Sequence, residues 1–430
     1  MELRSGYKKT EVGILPEDWE VRSFEKLFSF KNGVNADRNA YGRGVPFVNV
    51  LEPISYSHIY GHEVTGRITL PRSVIVSYVL RLGDILFNRT SETDLDLGLA
   101  AAFLGTEEIV FGGFVIRGRP NDDRLDPVYA GYALRAPVIR CQIIPMGQGA
   151  VRANIGQQNL GRVLAPLPSL PEQRAIAKAL SDMDELLGGL DRLITKKRDL
   201  KQAAMQQLLT GRTRLPGFTG EWEMKRLRDH VTFLRNGVNS RAELEMEGRV
   251  KYLHYGDVHA CKDVFVYPAS LPALPVSKAA TLDRLRDGDL IFADASEDIA
   301  GVSKSVEVKD IGETEAVSGL HTIAARFDKQ VLADGFKGLL QFCPPFTVHL
   351  RRLAAGTKVF ATNRAHIASV ELRLPTVVEQ TAIATVLFDM DAELAALEAR
   401  RDKTGALKRA MMQELLTGRT RLVKPEAAHG

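Results

Sequence analysis

The amino-acid sequence predicts an α+β protein in which two mixed α/β domains alternate with two long helices. Three observations lead to this fold class. A block of 44 residues occurs twice, at 172–215 and 379–422, with 25 identical positions and no gap. Both blocks carry apolar residues at heptad spacing. The stretch before each block instead contains short β-type runs separated by Gly, Pro and Asn. We therefore interpret the chain as one ancestral unit present twice.

The length and composition are those of a globular protein with more than one domain. The chain has 430 residues, of which 45% are hydrophobic and 26% charged, and it is too long for one ordinary hydrophobic core. The net charge of +4 is only weakly basic, so bulk charge does not by itself indicate a nucleic-acid binder. The first residues lack the apolar run of a signal peptide, and no apolar stretch approaches the length of a membrane span. The sequence predicts a cytoplasmic protein.

The two repeated blocks predict long helices that pack along each other. Their apolar residues step by four and three positions, which is the heptad signature of a helix packed on a helix. Each helix is expected to end at a glycine, Gly211 or Gly418, because glycine readily adopts positive φ. The residues of the predicted coiled-coil seam are Ile176, Leu180, Met183, Leu187, Leu190 and Ile194 in the first helix, and Ile383, Leu387, Met390, Leu394 and Leu397 in the second.

The domains that precede the helices share only short segments. Residues 32–35 (NGVN) recur at 236–239, and residues 83–87 (GDILF) recur as GDLIF at 288–292. Between these segments the two halves have almost nothing in common. One scaffold is therefore expected to carry two different surfaces.

No catalytic signature is apparent in the sequence. The chain contains no Gly-Lys pair, which excludes the phosphate-binding P-loop of many ATPases. The Gly-rich pieces at 111–114 and 147–149 fail the spacing of a dinucleotide-binding motif. Residues 126–129 (DPVY) lack the second proline of the element that amino-methyltransferases place beside a flipped base. We predict that the chain is not an enzyme.

Histidine and cysteine positions do not predict a metal site. His254, His259 and Cys261 are spaced as H-x4-H-x-C, which matches no common zinc site. His58 and His62 lie in a stretch with the composition of a loop. The cysteines are too far apart for a disulfide framework or a CxxC knuckle: Cys141, Cys261 and Cys343.

These motifs together resemble the specificity (S) subunit of type I restriction-modification enzymes. The strongest elements are residues 164–174 (LAPLPSLPEQR) with Ile176-Ala177 after them, and the linker from residues 206–211 (QQLLTG) through residues 215–218 (LPGF) to Trp222. The resemblance covers nearly the whole chain. In that family each globular domain is a target recognition domain that reads one half of a split DNA site, and two conserved helices form an antiparallel coiled coil that spaces them.

The resemblance implies a division of the chain into five segments. They are target recognition domain 1 at 1–165, spacer helix 1 with its linker at 166–215, target recognition domain 2 at 216–371, spacer helix 2 at 372–422, and a tail at 423–430. Two different heads on one scaffold would bind a bipartite, asymmetric DNA target.

Candidate DNA-binding residues are side chains that can pair with base edges or phosphates in the loops around the shared segments. In the first domain they are Lys31, Asn32, Asn35, Arg38, Asn39, Arg43, Asn88, Arg89, Thr90, Gln148 and Arg152. In the second domain they are Arg235, Asn236, Asn239, Arg241, Ser296, Lys304, Lys358, Asn363 and Arg364. Asp294, Glu297 and Asp298 replace the basic loop of the first half, and an acidic group there could accept a hydrogen bond from cytosine N4.

The resemblance also implies partners and cofactors. The partners would be double-stranded DNA, two methylation (M) subunits and restriction (R) subunits, with no membrane. S-adenosylmethionine, ATP and Mg would belong to those subunits, and this chain would hold no cofactor and no metal. Two alternatives stay open at this point: a diverged DNA methyltransferase or nuclease with its own active site, and a coiled-coil scaffold that binds no DNA.

Overall fold

A computed structural model describes residues 5–149 and 152–423. The chain divides into two compact units. The first unit comprises the residues up to Asp191 and those from Ala399 onward, and the second comprises Arg192–Glu398. Each unit therefore contains one mixed domain and a part of each long helix.

The mixed domain of the first unit, which we call the first head, is built from fourteen described strands and six short helices. The strands are β1 (Tyr7–Thr10), β2 (Gly13–Pro16), β3 (Glu20–Ser23), β4 (Phe28–Asn32), β5 (Tyr41–Val48), β6 (His58–Ile59), β7 (Arg67–Ile68), β8 (Ile85–Asn88), β9 (Thr90–Ser91), β10 (Ala100–Phe103), β11 (Val110–Phe111), β12 (Val115–Pro120), β13 (Ala153–Asn154) and β14 (Leu164–Leu167). The helices are α1 (Phe24–Leu27), α2 (Leu51–Ser55), α3 (Arg72–Tyr78), α4 (Pro127–Ala133), α5 (Pro137–Ile143) and α6 (Gln157–Gly161). The long helix α7 (Leu170–Leu208) follows.

The mixed domain of the second unit, which we call the second head, repeats this plan. Its strands are β15 (Glu223–Arg226), β16 (Val231–Phe233), β17 (Val250–Leu253), β18 (Phe265–Val266), β19 (Ala273–Leu274), β20 (Leu290–Ala293), β21 (Ala295–Ser296), β22 (Ser305–Val308), β23 (Glu315–Ser318), β24 (Thr322–Phe327), β25 (Phe360–Ala361) and β26 (Glu371–Leu374). Its helices are α8 (Tyr255–Ala260), α9 (Val276–Ala279), α10 (Pro344–Leu353) and α11 (Arg364–Ala368), and the long helix α12 (Val377–Leu415) follows.

The main sheets of the two heads have the same strand order. The five-stranded sheet runs β4-β12-β8-β10-β6 in the first head and β16-β24-β20-β22-β18 in the second. The shared GDILF and GDLIF segments supply the central strands β8 and β20, in which every residue is buried. Central strands covered on both faces read as continuous apolar runs, which explains why these segments are apolar in both halves.

The long helices α7 and α12 have 39 residues each, or about 58 Å at about 1.5 Å per residue. Gly211 and Gly418 lie just beyond their last residues, and both have φ of 68°. This left-handed conformation costs glycine little, which explains why both helices stop there. The predicted helix ends are confirmed.

Both ends of each helix contribute to the hydrophobic cores of the heads. Ile176 near the start of α7 and Leu415 at the end of α12 are buried in the core of the first head. Leu208 at the end of α7 and Ile383 near the start of α12 are buried in the core of the second. Each head is thus completed by the beginning of one long helix and the end of the other.

The predicted fold class is confirmed: two mixed α/β domains alternate with two long helices that pack together. No helix among the described residues is long and apolar enough to cross a lipid bilayer. The five predicted segment boundaries remain predictions.

Candidate nucleic-acid interface

A buried ion pair joins the two chain segments of the first unit. The carboxylate of Glu172, at the start of α7, is 1% exposed and accepts two hydrogen bonds from the guanidinium of Arg421, at 2.5 and 2.7 Å. Trp19 also donates its indole N–H to Glu172 at 2.9 Å, and Arg421 makes a second bidentate contact with Asp18. The hydrogen bonds to Glu172 are the largest cause of the raised pKa of Arg421. We call this cluster of Asp18, Trp19, Glu172 and Arg421 the first joint.

An equivalent ion pair in the second unit joins the segment after α7 to the start of α12. Arg214 donates to both carboxylate oxygens of Glu379, at 2.5 and 2.6 Å, and its guanidinium lies 5.8 Å from the ring centre of Trp222. We call Arg214, Trp222 and Glu379 the second joint. The Arg-Thr-Arg-Leu ending of each repeated block therefore holds the Glu-Gln beginning of the other block.

The glutamine beside each glutamate anchors the helix to its own head. Gln173 accepts a hydrogen bond from the backbone of Asp126 and donates to the carbonyls of Arg124 and Pro168, all at 2.8 to 2.9 Å. Gln380 makes the equivalent three hydrogen bonds in the second head. Because both side chains are fully buried, their hydrogen bonds fix where each long helix begins.

Ion pairs within the first unit show that the long helices run antiparallel. Asp184 on α7 pairs with Lys408 on α12, and Asp191 on α7 pairs with Arg401 at 3.1 Å. The residue number rises along one helix while it falls along the other.

The second unit shows the same direction of pairing. Lys197 on α7 pairs with Glu393 on α12 at 2.7 Å, and Lys201 pairs with Asp391. The antiparallel arrangement that the resemblance implied is therefore present in each unit.

The apolar stripe of the predicted seam has two environments. Ile176, Leu180, Ile383 and Leu387 are buried in the cores of the heads. Of the remaining stripe residues, three are buried and four are partly buried: Leu190, Ile194 and Leu394, then Met183, Leu187, Met390 and Leu397. The apolar stripe of each helix thus begins in the core of a head and extends along the packed helices.

Most predicted DNA-binding residues lie at the surface. Twelve are exposed: Asn32, Asn35, Arg38, Asn39, Arg43, Gln148, Arg152, Arg235, Arg241, Lys358, Asn363 and Arg364. Six are partly buried: Lys31, Arg89, Thr90, Asn236, Asn239 and Lys304. Neither group is confined to one loop, because the shared segments that flank them lie at different strand ends.

Asn88 and Ser296 are buried, so their side chains have structural contacts instead of an open path to DNA. Asn88 is 0% exposed, and its amide donates to the carbonyl of Asp96 at 3.0 Å. Ser296 is 6% exposed, and its hydroxyl accepts from the backbone of Asp298 at 3.3 Å. Both residues end a strand and hold the following loop in shape.

Several of the partly buried candidates also have partners within the head. The ammonium of Lys31 donates to the carbonyl of Ser77 and lies 4.1 Å from the ring centre of Tyr78. Burial, followed by the nearby charges of Arg117 and Arg119, lowers the pKa of Lys31. In the second head, Lys304 donates to the carbonyl of Cys261.

His254 and His259 in the second head make contacts within the protein. His254 precedes α8 and accepts from the backbone of Gly256, and His259 lies 2.9 Å from the carbonyl oxygen of Ala295. Among residues 5–149 and 152–423 there is no cluster of three or more His, Cys, Asp or Glu side chains arranged to hold a metal.

A cavity of about 420 Å³ opens at one end of the first head. It is lined by apolar side chains of the α2 region and by the loop after β8: Val50, Leu51, Ile54, Thr90, Ser91, Glu92, Thr93, Asp96, Phe114 and Arg152. Leu51 is 68% exposed and Phe114 is 50% exposed. The sequence indicated only polar and charged candidates, and these apolar side chains next to Thr90 and Arg152 were not predicted.

Sequence comparison relates the chain to two proteins of Methanocaldococcus jannaschii. It is 26% identical over 436 residues to the putative type I restriction enzyme MjaX specificity subunit, with 97% of each chain covered. It is 25% identical over 333 residues to the type I restriction enzyme MjaVIII specificity subunit, covering 74% of this chain and 76% of the relative. No protein-family model matches the sequence.

Structural comparison shows a fold shared with three solved chains. The S subunit of a type I restriction-modification system from M. genitalium matches with a TM-score of 0.52 and 16% identity, covering 96% of this chain and 98% of the other. The HsdS subunit of Thermoanaerobacter tengcongensis matches with a TM-score of 0.55 and 18% identity, covering 94% and 98%. A chain from a study of complex assembly and conformational transition of the type I restriction-modification system matches with a TM-score of 0.58 and 18% identity, covering 94% and 99%.

The repeated heads and the paired long helices define the fold class: two mixed α/β domains with two long helices that pack together. The chain is similar along 97% of its length to a putative type I restriction enzyme specificity subunit, and it shares the fold of solved S and HsdS subunits. The predicted resemblance to specificity subunits is confirmed by these comparisons.

Proposed function

We propose that this chain reads a bipartite, asymmetric sequence in double-stranded DNA, with one half-site for each head. The observation that carries the proposal is that the two heads share one strand order but present different side chains at equivalent positions. Because the two heads have the same strand order, their loops lie at equivalent positions. Different side chains on those loops recognise different bases. The residues at 1–165 and 216–371 are then the two target recognition domains.

The surface candidates divide into two roles in this proposal. Arginine, lysine and asparagine side chains at the surface contact phosphates and base edges, while the buried Asn88 and Ser296 support the loops. Arg89 is expected to read a base in the first head, because arginine pairs with guanine O6 and N7.

The partners in this proposal supply the chemistry. Two methylation subunits dock on the scaffold and use S-adenosylmethionine, and restriction subunits that use ATP and Mg join the complex in the cytoplasm. The chain alone, incubated with DNA and labelled S-adenosylmethionine, is expected to transfer no methyl group. Methylation by the single chain would refute this division of labour.

The structure suggests a direct test in which one head replaces the other. Residues 223–374 would replace residues 20–167, so that the exchanged segment begins at β15 instead of β3 and ends at β26 instead of β14. The four residues of the first joint lie outside this segment and are retained. In complex with methylation subunits, the chimaera is expected to methylate an inverted repeat of the second half-site.

The wild-type complex, tested on the same randomised DNA library, gives the reference target. A chimaera that still requires the first half-site would contradict the proposal, because every candidate DNA-binding residue of the first head would have been replaced. Unchanged folding would be checked by circular dichroism and by the stoichiometry of the complex.

A further inference from the structure

The two heads place an equivalent pair of residues between their two central strands. In the first head, Arg89 follows β8 and Phe114 precedes β12, and the backbone N–H of Arg89 donates to the carbonyl of Phe114 at 2.8 Å. In the second head, Asp294 follows β20 and His321 precedes β24, and the backbone N–H of Asp294 donates to the carbonyl of His321 at 3.1 Å. At this equivalent position the side chain is a hydrogen-bond donor in the first head (Arg89) and an acceptor in the second (Asp294).

The neighbouring short helices are also placed equivalently. The backbone N–H of Asn49 donates to Glu52 at 2.8 Å before α2, and the backbone N–H of His254 donates to Asp257 at 2.9 Å before α8. These matching hydrogen bonds fix the same register in both heads. A comparison of the side chains around them is thus a comparison of like positions.

Around the pair of the second head lies a group of aromatic and histidine side chains. The ring of Tyr255 meets the ring of His321 edge to face at a centroid distance of 5.6 Å and lies 6.1 Å from the ring of His259. The corresponding region of the first head is the apolar cavity lined by Val50, Ile54 and Phe114. The two heads therefore differ in chemistry where their backbones agree.

The side chains of Asp294 and His321 are held together but remain reachable. Nδ1 of His321 lies 3.2 Å from Oδ1 of Asp294, and the two side chains are 53% and 32% exposed. His321 has φ of 55°, a left-handed conformation that is uncommon outside glycine and is associated with functional sites. A carboxylate has several acceptor positions, so Asp294 can accept a hydrogen bond from a base while it keeps its bond to His321.

We infer that Asp294 reads a base in the half-site of the second head, by accepting a hydrogen bond from the N4 amine of a cytosine. His321 is a positioning residue that orients the carboxylate. The inference rests on the proposed function, in which the second head binds one half-site. In the major groove, aspartate accepts from cytosine N4, whereas arginine donates to guanine. At this equivalent position the second head would therefore read a cytosine through Asp294, and the first head would read a guanine through Arg89.

The test uses this chain assembled with its methylation subunits and a DNA library in which every position of both half-sites is varied. Asp294→Ala is expected to reduce the preference for cytosine over other bases at one position of one half-site by roughly 5- to 150-fold. Arg89→Ala in the first head is expected to relax one position of the other half-site. Glu313→Gln, which removes an exposed charge from a different loop of the second head, should leave every base preference unchanged.

The positioning role of His321 is tested separately. His321→Ala should weaken the same cytosine preference, and His321→Asn should restore part of it, because asparagine tolerates the left-handed conformation and can donate to a carboxylate. A purely structural pair would change the binding of all sequences equally, and that result would overturn the inference. So would an altered preference in the half-site read by the first head, or no change in preference for Asp294→Ala.

The wild-type complex separates this inference from the proposed function. If the wild-type complex shows no bipartite preference, the proposed function fails. If it shows one and Asp294→Ala leaves it intact, only the assignment of Asp294 fails. Circular dichroism of each variant complex distinguishes a loss of reading from a loss of folding.

Discussion

Arg421 donates two hydrogen bonds to the carboxylate of Glu172, a residue 249 positions earlier in the chain and 1% exposed. This pair ties the end of the second repeated block to the beginning of the first. Arg214 and Glu379 make the same pair in the second unit. The repeated motifs that reveal the duplication are therefore the residues that assemble each unit.

We expect Arg421→Ala to destabilise the first unit by about 3 to 5 kcal/mol, because it leaves the carboxylate of Glu172 buried without its charged partner. The free energy of unfolding would be measured by chemical denaturation of the full chain. Arg421→Lys should recover only a part of the loss, since lysine cannot form two parallel hydrogen bonds to a carboxylate.

The matched control is Arg72→Ala in the same unit. The side chain of Arg72 is 70% exposed and pairs with Glu108, which is 41% exposed. Exposed pairs contribute about 1 kcal/mol or less, so this variant should be close to wild type. Equal effects of the two substitutions would show that the first joint is not a stabilising contact.

A second prediction concerns the glycine of the shared NGVN segment. A Cβ at Gly33 would lie 1.9 Å from the backbone oxygen of Gly112, which cannot move without breaking the pairing of Val34 with Gly112. We expect Gly33→Ala to cost about 3 kcal/mol or more in the free energy of unfolding. The loss would appear as a lower denaturation midpoint of the first unit.

Gly156→Ala provides the comparison, because a Cβ at Gly156 would have no atom within 4 Å. Its φ of −93° is open to any residue, so alanine should be tolerated at this position. A similar loss from both substitutions would mean that the close approach of Gly33 to the backbone is not what requires glycine.

The fold was predictable because the duplication and the heptad stripe are properties of the sequence alone. The apolar segment at 83–87 also indicated β8, and the repeat of that segment indicated β20. The joints were not predictable in the same way. Glu172 and Arg421 were both recognisable as repeated residues, but nothing in the sequence shows that the glutamate of one block meets the arginine of the other.

The candidate surface was predictable only in part. Residue type alone cannot distinguish the buried Asn88 from the exposed Asn35, because burial depends on how the strands before and after them pack. Phe114 and His321 were missed since neither lies in a shared segment. Aligning the two heads through their strands reveals that these residues occupy equivalent positions.

A third prediction concerns the pH dependence of the second unit. Glu307 is 1% exposed, and burial raises its pKa to about 7 despite hydrogen bonds from the backbone of Gly335 and Gly338 and the nearby charge of Lys337. The native state therefore keeps a proton that the unfolded chain loses near its ordinary pKa of 4.5. Stability should fall as the pH rises from 4.5 through 7, by about 3 kcal/mol.

Glu307→Gln removes this titration, and so it should remove the contribution of Glu307 to the pH slope. The measurement is the difference in unfolding free energy between wild type and variant at pH 5 and at pH 8, in which the contributions of other groups largely cancel. At pH 5 both oxygens of the protonated carboxyl group can still accept from Gly335 and Gly338, whereas glutamine has one accepting oxygen, so the variant is expected to be less stable at pH 5. The same slope for both proteins would contradict the prediction.

The last prediction concerns the spacing of the half-sites. Both long helices pass from one unit into the other, α7 at Asp191 and α12 at Glu398. Seven residues inserted after each of these positions would lengthen both helices by about 10 Å and keep the heptad phase. They would also preserve the pairing of Asp191 with Arg401 and that of Lys197 with Glu393.

We expect the lengthened chain, in complex with methylation subunits, to lose the original target and to prefer the same half-sites with a spacer longer by up to about three base pairs, at about 3.4 Å each. The measurement is methylation of DNAs whose spacers increase one base pair at a time. Seven residues inserted after Asp191 alone should abolish recognition at every spacing, because α7 would be longer while α12 stays unchanged and the pairs of one unit would slip. Full methylation of the original spacing by the doubly lengthened chain would show that helix length does not determine the distance between half-sites.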